Sequence, residues 1–135
     1  MAENLVVKEP LTADMIDAGE ALTRQLDSLG LPITAAFWLF DPERSDEWCL
    51  MLASPDVATK GSQHVYLQIY LALEQLGDKA TAIPLFGVRL LDGSDKLVRQ
   101  LQTAVRTGAG ISRIRFRKRV ADGHYIEDAL IYRVT

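Results

Sequence analysis

The sequence predicts an α+β fold: a single five-stranded mixed sheet packed with three helices, in the order α-β-β-α-β-α-β-β. Three observations lead there. An Asp-Gly dipeptide sits between two alternating runs near the C-terminus. Three segments repeat apolar residues at three- and four-residue spacing between helix-start and helix-stop residues. The remaining apolar runs are short, as strands are, and interleave with those helices. With 135 residues, the chain is the size of a single domain and buries enough surface to fold without a metal or disulfide.

Residues 1–10 read as a loose arm ending at Pro10. The first helix follows, with Thr12 as N-cap, Asp14 at its positive end and Leu11 placed to staple onto Ile16. Met15, Gly19, Leu22, Leu26 and Leu29 form its apolar stripe, Gly30 ends it, and Pro32 prevents its continuation.

Ile33–Phe40 is apolar on both faces, which suits a strand covered on both sides. Trp38 and Phe40 share one face and Phe37 lies on the other, so either helices cover both faces or a partner covers part of one. After a polar turn over Asp41–Asp46, Glu47–Ala53 returns as the second strand. Ser54–Gly61 is expected to be a loop.

Ser62 opens the second helix, with Val65, Tyr66, Ile69, Tyr70, Leu73 and Leu76 as its apolar positions and Gly77 as its stop. Ala80–Leu91 is a third strand region, with Pro84 marking an edge or bulge. Ser94 caps the third helix, buried through Leu97, Val98, Leu101, Ala104 and Val105 and closed by Gly108. Two strand–helix–strand connections imply some parallel pairing.

The last strands form a hairpin about Asp122-Gly123, a dipeptide suited to the positive φ values of a tight turn. A two-residue loop sets one face as Ile114/Ile131, Phe116/Ala129, Lys118/Glu127 and Val120/Tyr125, the expected core face. The other reads Arg113/Tyr132, Arg115/Leu130, Arg117/Asp128 and Arg119/Ile126. Opposite charges then face each other at Lys118/Glu127 and Arg117/Asp128, whereas a one-residue slip sets Phe116 against Asp128.

Composition narrows the function. The chain is 48% hydrophobic and 24% charged, with net charge −3. Lys96–Ala121 holds eight basic residues (Lys96, Arg99, Arg106, Arg113, Arg115, Arg117, Lys118, Arg119) and no acid. The remainder holds seven basic residues against all 18 acids, a net of −11. One cysteine excludes an internal disulfide. The N-terminus lacks the pattern of a secretory signal and no apolar run is long enough to span a membrane, so a cytoplasmic protein without membrane attachment is expected.

Catalytic and cofactor motifs are not found. Gly108-Ala109-Gly110 follows a helix and opens a strand, the reverse of a phosphate-binding loop. His64 and His124 stand far apart without metal-ligand spacing. Cys49 lies in Trp-Cys-Leu-Met-Leu, where a thiol behaves as a small hydrophobe. No acid stands two residues before any lysine, the spacing of many metal-dependent nucleases. Asp41, Glu43, Asp46 and Glu47 cluster in a turn and read as solvated. No cofactor, no metal and no catalytic residue is therefore assigned.

What remains is the ladder Arg113, Arg115, Arg117, Arg119, with Tyr132 opposite. Arginine beside tyrosine and aliphatic residues has the composition of a protein interface. The expected function is a non-enzymatic interaction or regulatory module, with another protein or a second copy as homodimer partner. The alternative is a nucleic-acid-binding protein contacting phosphates through the same ladder; a pI near 5.3 weighs against it.

Overall fold

A computed structural model describes residues 10–84 and 87–135. The expected N-terminal arm, apart from Pro10, and positions 85–86 of the expected third strand lie outside the described residues. The elements are α1 (Ala13–Ser28), β1 (Ala35–Phe40), β2 (Trp48–Ser54), α2 (Asp56–Lys60), α3 (Ser62–Leu76), a 3-10 turn (Gly77–Ala80), β3 (Val88–Asp92), α4 (Lys96–Ala104), β4 (Ile114–Ala121) and β5 (His124–Val134). The five strands form one mixed sheet in the order β3-β2-β1-β5-β4. Only β2 and β3 are parallel; the other neighbours are antiparallel.

The predicted class and order hold, with one helix more than expected. α2 occupies the stretch read as a loop after Pro55, a short five-residue turn of helix without buried residues. Together α2 and α3 make the crossover that parallel pairing of β2 and β3 requires. The second crossover does not produce a parallel pair. β3 and β4 lie at opposite edges, so α4 carries the chain across the back of the sheet. The strand expected over Ala80–Leu91 shortens to Val88–Asp92, because the chain after Gly77 first tightens into the 3-10 turn.

α1 begins where its cap dictates: Thr12 Oγ1 accepts from the Met15 amide at 3.1 Å, worth about 1 kcal/mol. Leu11 and Ile16 both pack on the core. α4 is capped by Asp95, one residue after the expected Ser94; its carboxylate accepts from the Leu97 amide at 2.8 Å.

Both faces of the sheet are covered, which resolves the doubly apolar first strand. Ala36, Trp38 and Phe40 of β1 point to the side of α1 and α3, with Leu50, Leu52, Leu130 and Tyr132. Ala35, Phe37 and Leu39 point to the other side, with Met51, Phe116, Ile131 and the α4 residues Leu97, Val98 and Leu101.

The hairpin pairs in the predicted register, from Ile114 opposite Ile131 to Ala121 opposite His124. Its faces differ from the prediction. Ile131, Phe116 and Ala129 are buried as expected, but Ile114 at the strand's start is 36% exposed; beyond Phe116, Val120 (63%) and Tyr125 (54%) stand in solvent, and Ile126 is buried in their place. The cause lies at Lys118, whose φ is +47°. Strict alternation would aim Lys118 at the core. The left-handed backbone there takes the ammonium outward and exchanges the two faces beyond it, so that Phe116, Ala121 and Ile126 share one buried cluster.

A second irregularity lies further along β5. Ala36 pairs with Arg133 and Phe37 with Ile131, leaving Tyr132 as the extra residue of a β-bulge. Tyr132 and Arg133 consequently both reach the α1 side.

Candidate functional site

The four ladder arginines sit on or beside β4, an outer strand of the sheet, and each meets a different environment. Arg113 turns towards α1. Its Nη2 donates to Asp17 Oδ1 at 2.8 Å and its Nε to Glu20 Oε1 at 3.3 Å, and these bonds raise the guanidinium pKa above its ordinary value. Arg115 makes a two-pronged bond with Asp128, Nε to Oδ1 and Nη2 to Oδ2, both at 2.7 Å. That bond outweighs partial burial and raises its pKa. Its guanidinium also lies 5.5 Å from the Trp48 ring centre. Arg117 approaches the same carboxylate at 3.4 Å. Arg119, beyond the Lys118 kink, lies over the Phe116 ring at 5.6 Å on the α4 side.

The ladder is therefore not a single flat stripe. Arg113 bonds to α1, Arg115 and Arg117 share one fully buried carboxylate, and Arg119 faces the other way. Among the described residues no acid pairs with Lys118, Arg119, or the α4 residues Lys96 and Arg99. Of the four β4 cations, Arg115 and Arg117 reach the Asp128 carboxylate, and Lys118 and Arg119 have no ion pair among the described residues.

Tyr132, grouped with the arginines from sequence, is fully buried and out of a partner's reach. The bulge aims it at α1, where Trp38 Nε1 donates to its hydroxyl at 2.9 Å and that hydroxyl donates to the Ile16 carbonyl. α1 can approach this closely because position 19 is glycine. A Cβ there would lie 2.5 Å from Tyr132 Oη and 2.7 Å from Trp38 Nε1. Burial pushes the Tyr132 phenol pKa upward, against the smaller lowering effect of the Trp38 bond.

The sign of that shift gives a prediction. A pKa raised by folding contributes stability that is complete below the unfolded value, about 10 for tyrosine, and is lost as pH rises beyond it. The denaturation midpoint should therefore fall more steeply above pH ~10 in the wild type than in Tyr132→Phe. Equal slopes in the two proteins would contradict it.

Sequence reasoning missed Arg133. It is buried, bonds Asp27 through both carboxylate oxygens at 2.9 and 2.8 Å, and donates to the carbonyls of Ile33 and Gly110. It ties β5 to the end of α1. Alternation from Tyr132 would put Arg133 on the opposite face, so the bulge had to be seen to find it.

The histidines are not brought together. His64 lies on α3. His124 lines a cleft of about 280 Å³ with Asp41, Glu43, Tyr125 and Glu127. No side-chain hydrogen bond joins His124 to those carboxylates among the described residues, and Glu127 accepts instead from the Tyr125 hydroxyl at 2.9 Å. An acid–base histidine needs an orienting partner, which His124 lacks here. Among the described residues no three metal-ligating side chains converge, and no helix is long and apolar enough to cross a membrane. Cys49 is half-buried against the α4-side core.

Comparison with known proteins adds no assignment. No family model matches the chain, and no curated protein or solved structure matches it significantly.

Proposed function

We propose that this protein is a non-enzymatic interaction module that takes an extended acidic segment of another protein along β4. The observation that carries the reading is an outer strand with four cations, Arg115, Arg117, Lys118 and Arg119, whose ion pairs among the described residues go to Asp128 alone, from Arg115 and Arg117. An outer strand offers unpaired backbone donors and acceptors to an added strand, and its side chains choose the partner. Ile114–Arg117 is the regular run available for pairing, and the Lys118 kink ends it.

The same charges oppose a second copy at this edge. Antiparallel pairing of β4 on β4 centred on Arg117 sets Arg117 against itself and Arg115 against Arg119, which is destabilising. An acidic strand reverses that sign and gains faster encounter as well.

A nucleic-acid backbone would also meet these cations, but two features favour the peptide. Tyr132 is buried, so the tyrosine opposite the start of the arginine run is closed to a stacking base. Arg113 and Arg115 already direct donors to carboxylates. The test is fluorescence anisotropy with a labelled peptide alternating glutamate and valine, compared with a single-stranded oligonucleotide of equal charge. The peptide should bind, binding should weaken with salt, and Arg117→Glu with Arg119→Glu should abolish it. Preferential binding of the oligonucleotide, or unchanged peptide binding by the reversed variant, would overturn the reading.

A further inference from the structure

The apolar residues of α3 divide between two faces. Val65, Ile69 and Ala72 are buried against the sheet and α1. Tyr66 and Tyr70, expected in the same stripe, face outward instead, because apolar residues cover more than half of this helix's circumference. With Leu67 and Leu71 they are 36%, 53%, 67% and 43% exposed respectively. A single exposed leucine is ordinary. Four large side chains at i, i+1, i+4 and i+5 form a continuous outward stripe. Gln63 stands one turn before it and Glu74 one turn after, and an open hollow of about 440 Å³ lies among Gln63, Tyr66, Leu67 and Tyr70.

We propose that this face binds a second copy of the same chain, with two α3 helices packed antiparallel about a two-fold axis. A two-fold interface must be complementary to itself. The stripe meets that demand because its residue types repeat symmetrically: Gln63, then Tyr66-Leu67, then Tyr70-Leu71, then Glu74. An axis between Leu67 and Tyr70 sets Leu67 against Tyr70 of the other copy, Tyr66 against Leu71, and Gln63 against Glu74. Each aromatic ring meets an aliphatic side chain, and the tyrosine hydroxyls can remain wet at the rim.

Charge complementarity selects the same arrangement. Glu74 is the only Asp, Glu, Lys or Arg of α3 and lies in its last turn. Antiparallel packing brings it to the positive N-terminal end of the other α3, beside the Gln63 amide. Parallel packing would set Glu74 against Glu74. The face is separate from β4, so its fate does not depend on the peptide reading.

Sedimentation equilibrium of the full chain tests this. A reversible dimer is expected. Leu67→Lys and Tyr70→Glu should each weaken it by more than about thirtyfold, the size of effect at an interface anchor, with unchanged circular dichroism because both sites are exposed. The decisive step mixes the two variants. The proposed register sets Lys at 67 against Glu at 70 in the mixed pair, so the mixture should dimerise more strongly than either variant alone. A monomer at every concentration would overturn the proposal. So would a dimer indifferent to both substitutions, or a mixture no stronger than its components.

Discussion

Gly19→Ala is expected to lower the unfolding free energy by about 2–4 kcal/mol, although alanine is the better helix former by about 1 kcal/mol. The added methyl would sit at 2.5 Å from the Tyr132 hydroxyl and 2.7 Å from Trp38 Nε1. Both rings are fully buried and cannot retreat into space. The helix must therefore lift, or the Trp38–Tyr132–Ile16 hydrogen-bonded chain must break and leave buried donors without partners. Thermal unfolding should shift down by roughly 10 °C. A cycle with Tyr132→Phe gives the cause: removing the hydroxyl that the methyl strikes should make the Gly19→Ala cost smaller. Equal costs in both backgrounds would mean that the clash lies elsewhere.

Asp128→Asn is the second large effect, expected at about 2–3 kcal/mol. Asp128 is fully buried and takes both prongs of Arg115 while neighbouring Arg117. Removing one partner of a fully buried pair costs about 3–5 kcal/mol; Arg115 is about one-third exposed, so water can reach the stranded guanidinium and reduce that. An asparagine keeps the shape but offers one acceptor oxygen and turns an NH₂ group towards a cation. Arg115→Lys should cost less, since it keeps the charge and loses only the fork geometry. Urea unfolding of the three proteins checks the ranking. On the proposed function, Asp128→Asn should also tighten binding of the acidic peptide, because it removes the carboxylate that Arg115 and Arg117 share. Stability and affinity would then move in opposite directions.

The sequence carried the hairpin register because two independent signals agreed: Asp122-Gly123 set the loop, and Arg117 and Asp128 fell opposite each other. It carried the helices where a cap and a stripe coincided, as at Thr12 and Leu22. What it could not carry were the places where one residue resets the alternation. The left-handed backbone at Lys118 exchanges the faces of β4 and β5, and the extra residue at Tyr132 turns Arg133 inward. Neither has a local sequence mark; Lys118 adopts its strained backbone because a buried ammonium would cost more. The arginine ladder was visible as a pattern, but its partners Asp17 and Glu20 are distant in sequence and only the packing of α1 beside β4 reveals them. The outward face of α3 was hidden by an excess of apolar positions around one helix.

If α3 pairs two chains, each assembly presents two β4 edges, and a partner with two acidic segments would gain avidity. Binding of an acidic strand along β4 can be followed on the protein itself. Titration with the alternating glutamate–valine peptide, followed residue by residue through the backbone amide resonances, addresses it directly. Saturable shifts concentrated on Ile114–Arg119 are expected, with new protection of β4 amides from hydrogen exchange. Shifts confined to other elements, or no protection on β4 at saturation, would contradict it.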